Sequence, residues 1–145
     1  MRWLFPIFIG GRGAFALLVV RLVVGLAFIL HGWPKIQNPM GWMNAMGGSS
    51  VPVFLQALAA FAEFGGGIAL ILGLLTPIAA FGLVCQMLGA LFLVHVPQGH
   101  SFVSQSGPSY ELALVYFVVA ILLIALGPGK WSLDARLFAG RSIEE

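Results

Sequence analysis

Charge is what this chain has least of. Only 8% of its 145 residues are charged, where soluble domains carry about 25%. With so little polar surface a soluble monomer could not keep its apolar side chains from water, which excludes an ordinary soluble domain. A single cysteine, Cys85, excludes an intrachain disulfide framework and gives no reading of compartment. No C-x-x-C or H-x-x-x-H spacing occurs, so no metal site is expected. The basic residues are scattered at segment ends rather than clustered, so the net charge of +2 does not point to nucleic acid. The basic-then-apolar start, Met1 to Ile9, is broken by Pro6 and by Gly10-Gly11-Arg12-Gly13, with no small-residue cleavage motif after it. It reads as a segment lying along a membrane surface, not as a signal peptide.

What the chain has is apolar length. Hydrophobic residues make up 60% of it, and mean hydropathy is +1.02. Crossing a core of about 30 Å at about 1.5 Å per residue takes about 20 residues. Four stretches come near that length: Ala14–Gly32, Val53–Leu75, Pro77–Val96 and Tyr110–Leu126. Only helices satisfy their own backbone in lipid. The expected fold is therefore all-α: a polytopic four-helix bundle forming one transmembrane domain over residues 1–145, with a tail at 127–145. Thr76-Pro77 joins the second and third helices in a tight hairpin. The loops 33–52 and 97–109 are longer, and Met40–Met46 is expected to form a short interfacial helix. The tail opens on the helix stop Gly127-Pro128-Gly129, after which Ser132 can cap a short amphipathic helix. Lys130 and Arg136 would hold that helix on the headgroups.

Arg2, Arg12, Lys130, Arg136 and Arg141 lie toward the termini, and the two long loops hold only Lys35. This asymmetry places both termini in the cytoplasm. Trp3, Trp33, Trp42 and Trp131 all fall at expected interfaces, as an aromatic belt requires.

Two charges sit inside the apolar runs. Arg21 and Glu63 are costly in hydrocarbon, by ~3 to more than ~10 kcal/mol. Counted from the span ends, their levels differ by about 5 Å. They are expected to pair, with Gln86 as an uncharged neighbour. The pair can be read as a structural pin between helices 1 and 2, or Glu63 can be read as a proton-carrying or ligand-binding group.

At the outer end, His31, His95 and Glu111 lie near the outward ends of helices 1, 3 and 4, with Lys35 just beyond and Phe28 and Phe92 below. They suit a quinone headgroup, whose carbonyls accept hydrogen bonds and whose reduction needs protons. Alternatively they are polar groups facing water, or two imidazoles and a carboxylate about a metal, a reading that no ligand-type spacing supports. Gly25-x-x-Phe28-x-x-His31 and Gly89-x-x-Phe92-x-x-His95 hint at a duplicated hairpin, although Gly and Phe are common enough here for coincidence.

Taken together, Arg21-Leu22-x-x-Gly25-x-x-Phe28-x-x-His31-Gly32-x-x-Lys35 resembles the first helix of the DoxX family of small four-helix membrane proteins. Glu63-x-x-Gly66-Gly67-x-x-Leu70-x-x-Gly73-Leu74-Leu75-Thr76 resembles its second. Glu111-Leu112-Ala113-Leu114 and Gly127-Pro128-Gly129-Lys130-Trp131-Ser132-Leu133-Asp134 resemble its end. The resemblance implies a multi-pass protein of a prokaryotic cytoplasmic membrane in a redox setting. The family is related to the membrane subunit of thiosulfate:quinone oxidoreductase, and other members associate with sulfurtransferase and superoxide-detoxifying partners. The expected function is a quinone-linked redox subunit or the membrane anchor of an oxidoreductase complex. Quinone is then the candidate ligand, no cofactor is bound covalently, and the lipid bilayer and other membrane or redox subunits are the partners. The rival expectation is a structural accessory subunit without turnover.

Overall fold

The computed structural model describes residues 8–44 and 51–138. Helix α1 spans Gly11–Gln37, α2 Val53–Leu72, α3 Thr76–Gly89, α4 Glu111–Leu126 and α5 Leu133–Phe138. A π-helical segment, Ala90–His95, prolongs α3. No strand occurs among the described residues; Ser101 and Ser109 make one isolated bridge in the loop before α4. Successive helices pack on one another, α1 on α2, α2 on α3 and α3 on α4, and Phe28 meets Tyr116 at 5.0 Å to bring α1 against α4.

Among the described residues three helical stretches are long and apolar enough to cross a membrane: Gly11–Gln37, Val53–Leu72 and Thr76–His95. The expected fourth crossing, α4, has 16 residues, or about 24 Å of rise. The chain is a polytopic membrane bundle, and its surface is that of one. Phe15, Leu26, Phe54, Phe61, Phe81 and Val118 are all exposed, whereas Arg21, Glu63, Thr76 and Asp134 are buried. Lipid tolerates the first set, and only a protein interior satisfies the second.

Several boundaries differ from the sequence reading. Helix α1 runs on through Pro34 to Gln37, so Lys35 lies in its last turn and not in the loop. Residues 38–43 form bends and turns, so the interfacial helix expected at Met40–Met46 is not formed over Met40–Met43; its last two residues, Ala45 and Met46, lie outside the described residues, as do residues 1–7 of the surface segment.

Helices α1 and α2 touch through glycine. A Cβ on Gly25 would stand 2.7 Å from the Gly67 carbonyl oxygen, and one on Gly67 would stand 2.7 Å from that of Gly25. One on Gly32 would meet the Phe64 nitrogen at 2.7 Å. Without side chains at these points the backbones come together as small-residue membrane interfaces do. The glycines thereby fix the register of the antiparallel pair.

At the end of the bundle where α1 starts, the tail folds back over the α2–α3 hairpin. Gly73 and Leu75 both adopt left-handed backbone, at φ 63° and 48°. For leucine that conformation is strained. Asp134 holds it in place: its carboxylate accepts the Leu75 N–H at 2.7 Å and the Thr76 N–H at 2.9 Å, while its own N–H donates to the Gly73 carbonyl at 2.9 Å. Asp134, in the first turn of α5, thus caps α3 as well. Ser132 does cap α5, accepting the Ala135 N–H at 3.1 Å.

Arg21 is fully buried beneath this lock. Its guanidinium donates to the Leu70 and Trp131 carbonyls and feels the charge of Asp134. A Cβ on Gly73 would lie 1.8 Å from its Nη1.

Asp134→Ala should therefore destabilise the folded protein by ~3–5 kcal/mol, since it strands a buried guanidinium and uncaps α3. Thermal unfolding in detergent measures this, and a midpoint within a degree or two of the unaltered protein would refute the lock. Gly73→Ala should cost at least as much, because it meets both a steric clash and a strained φ.

Candidate functional site

The glycine register decides where the buried charges meet. Gly25 faces Gly67, Gly32 faces Phe64 and Glu63, and Arg21 faces Gly73. Glu63 is therefore level with the turn of α1 around Gly32, about ten residues or ~15 Å along the helix from Arg21. Side chains on a helix lean toward its N-terminus. Arg21 accordingly leans away from Glu63, and Lys35 leans back toward it.

Lys35 donates to Glu63 Oε1 at 2.6 Å, and Gln86 Nε2 donates to the same oxygen at 2.7 Å. The expected Arg21–Glu63 pair is not formed: each charge has other partners, at opposite ends of the bundle. The expected neighbour Gln86 does bond Glu63.

The other carboxylate oxygen of Glu63, Oε2, is buried and has no hydrogen-bond partner among the described residues. A buried carboxylate oxygen ordinarily finds a donor, because leaving it bare costs about 1–3 kcal/mol or more. Lys35 is only partly shielded, at 19% side-chain exposure against 5% for Glu63. Its ammonium lies 4.5 Å from the centre of the Trp42 ring, within cation–π range. Trp42 is itself tied down by its indole N–H, which donates to the Gln56 carbonyl at 3.0 Å. The site is thus a carboxylate with one committed and one uncommitted oxygen, a lysine beside it and an aromatic wall above. Sequence reasoning missed Trp42 as a member of this site, having placed it only in the aromatic belt. The direction in which helical side chains lean would have pointed to Lys35.

The other expected site residues are dispersed. His31 is exposed and its Nδ1 lies 2.8 Å from the Ala27 carbonyl of its own helix. Glu111 is exposed at the start of α4. His95 contacts His100, Nδ1 to Nδ1, at 2.9 Å. No hydrogen bond or ion pair joins His31, His95 and Glu111 among the described residues, so the three expected to converge do not form one cluster. The reason lies in α1, whose buried stripe runs through Val24, Phe28 and Gly32 and leaves His31 outside it.

Phe28 is buried against Tyr116, whereas Phe92 is 64% exposed. Gly25 is a helix contact, whereas nothing lies within 4 Å of a Cβ on Gly89. The two halves of the apparent repeat therefore occupy unlike surroundings. Among the described residues no group of three or more His, Cys, Asp or Glu side chains is arranged to hold a metal.

The DoxX family model matches residues 16–96, which include all but the first five residues of α1, all of α2, and α3 with its π-helical extension. An uncharacterized protein of Haemophilus influenzae is 35% identical over 120 residues, covering 82% of this chain and 88% of its own. The inner membrane protein YqjF of Escherichia coli is 32% identical over 121 residues, 83% of this chain and 90% of its own. A Bacillus subtilis protein named "Putative oxidoreductase CatD" is 27% identical over 124 residues, 86% of this chain and 88% of its own. No solved structure matches the chain.

A double-mutant cycle distinguishes the two pairings. Lys35→Met and Glu63→Gln should couple by ~1–3 kcal/mol in unfolding free energy, a range reduced for the partial exposure of the lysine. Arg21→Met and Glu63→Gln should add within about 0.5 kcal/mol. Coupling in the second cycle and additivity in the first would overturn the geometry.

Proposed function

The chain belongs to the DoxX family, and from that premise we propose that it works as a quinone-linked redox subunit, or as the membrane anchor of an oxidoreductase complex, in a prokaryotic cytoplasmic membrane. The observation that carries this reading is the bare Oε2 of Glu63. An acceptor without a donor, held in an apolar bundle beside a lysine, suits a hydroxyl or a proton arriving with a lipid-soluble molecule.

A quinone supplies reversible storage of two electrons and two protons. Glu63 would accept a hydrogen bond at Oε2 from a quinol hydroxyl, or hold a proton there. Lys35 would donate to a carbonyl oxygen while keeping the carboxylate charge compensated. Gln86 fixes the carboxylate by its hydrogen bond to Oε1, and Trp42 offers a ring face above Lys35. Electrons would come from a partner redox subunit. The name of CatD supports a redox setting for that relative, and its likeness to this chain supports the same setting here.

The side of the membrane follows from the charge asymmetry. The start of α1 and the residues after α4 share one end of the bundle, where the Lys130 N–H donates to the Ile9 carbonyl at 2.9 Å. With Arg12, Lys130 and Arg136 at that end, both termini would face the cytoplasm and the Glu63 site would lie toward the outer leaflet.

Purification in mild detergent, followed by lipid extraction and mass spectrometry, tests the ligand. The unaltered protein should retain quinone, and Glu63→Gln should retain several-fold less at equal expression. Quinone at background in both would leave a structural accessory subunit as the function. Orientation is checked by cysteine labelling after Cys85→Ala. An impermeant reagent applied outside should modify Gln105→Cys and spare Arg136→Cys; the opposite pattern would reverse the topology.

A further inference from the structure

The π-helical segment ends on a pair of imidazoles that the Glu63 site does not use. Residues Ala90–His95 open the helix by one residue, and the Val96 N–H donates to the Leu91 carbonyl at 2.8 Å. Such openings in otherwise α-helical runs frequently occur at functional sites. The chain then reverses through Val96-Pro97-Gln98-Gly99, with Gly99 at φ +66°. The His100 N–H donates back to the His95 carbonyl at 3.1 Å. This closed turn holds the two rings at a set spacing, with Nδ1 atoms 2.9 Å apart, ring centres 5.1 Å apart and planes 67° apart. Both histidines are partly exposed, so an ion can reach them.

Two neutral imidazoles at this distance share one proton, Nδ1–H to Nδ1. Moving that proton to the far nitrogen of its ring, with a small turn of each ring, directs both lone pairs to a common point. Metal–imidazole bonds are about 2.0 Å long, so a cis pair at a right angle would set its nitrogens about 2.8 Å apart and a tetrahedral pair about 3.3 Å apart. The 2.9 Å between the hydrogen-bonded nitrogens is nearer the first of these. Right-angled nitrogen ligation belongs to tetragonal ions, and copper(II) has the highest affinity in the first-row series.

We propose that His95 and His100 form a two-imidazole chelate for a divalent transition-metal ion of tetragonal preference, copper(II) foremost, with water completing its coordination. The H-x-x-x-x-H spacing falls within the range of imidazole ligand pairs. The site is separate from the Glu63 cluster and does not depend on its function.

The test uses the full chain in detergent, purified without a histidine tag and titrated with copper(II) alone and zinc(II) alone. One copper(II) per chain should bind, with electron paramagnetic resonance showing coupling to two nitrogens. His100→Ala, which lies in a loop, should weaken copper binding at least tenfold and remove one nitrogen coupling while leaving the thermal midpoint of the metal-free protein in place. His95→Ala should do the same to binding, and His31→Ala should leave binding unchanged. Equal binding by the unaltered protein and His100→Ala would overturn the proposal, leaving the pair as a hydrogen bond only. Tighter binding of zinc(II) than of copper(II) would overturn the tetragonal assignment.

Discussion

The backbone contact between α1 and α2 is the constraint on which the rest of the molecule depends. In a bilayer, lipid tails are as apolar as leucine, so helices associate only where their surfaces fit closely. Gly25, Gly32 and Gly67 supply that fit, and each would collide with backbone if it carried a Cβ. Because the contact is between main chains, it fixes the sliding register of the two helices far more tightly than flexible side chains could. Every polar pairing in the bundle then follows from which residues stand level.

Two polar centres result, one at each end of the α1–α2 pair. At one end Arg21 lies under the tail, and Asp134 ties that tail to the strained turn at Leu75. This centre is saturated on the acid side, since both carboxylate oxygens receive backbone N–H groups, and it joins α1, the hairpin and α5 into one structure. Toward the other end Glu63 takes both of its donors on one oxygen and leaves the second bare. A saturated carboxylate stabilises; a half-saturated one in a dry interior carries a cost that a structural role alone would not require. Arg21 Nε and Thr76 Oγ1 at the first centre are also buried without a partner, so the contrast lies in the carboxylates: Asp134 is fully bonded, and Glu63 keeps one bare acceptor.

The pairing of Arg21 with Glu63 was a natural reading of opposite charges in neighbouring apolar runs. It failed because depth was counted from the ends of hydrophobic stretches, which lipid exposure blurs by several residues. Lys35 had been assigned to the loop because the apolar run ends at Gly32, but α1 continues through Pro34 to Gln37. His31, His95 and Glu111 were grouped by a shared level near helix ends. Level alone does not make a site: helix rotation sends His31 off the buried stripe, and the widened π turn takes His95 to His100.

The sequence by itself determined that the chain is an all-helical membrane protein, nearly where its helices run, that Glu63 and Arg21 are buried, and that Gln86 lies beside Glu63. These depend on hydropathy and periodicity, which are local properties. Only the tertiary structure decided which charge meets which, that Asp134 caps α3, that Trp42 stands over Lys35 and that His100 joins His95. Those outcomes depend on register between helices and on how the tail and loops fold back. Register is set by a few glycine contacts between helices that are distant in the chain, which local periodicity does not encode.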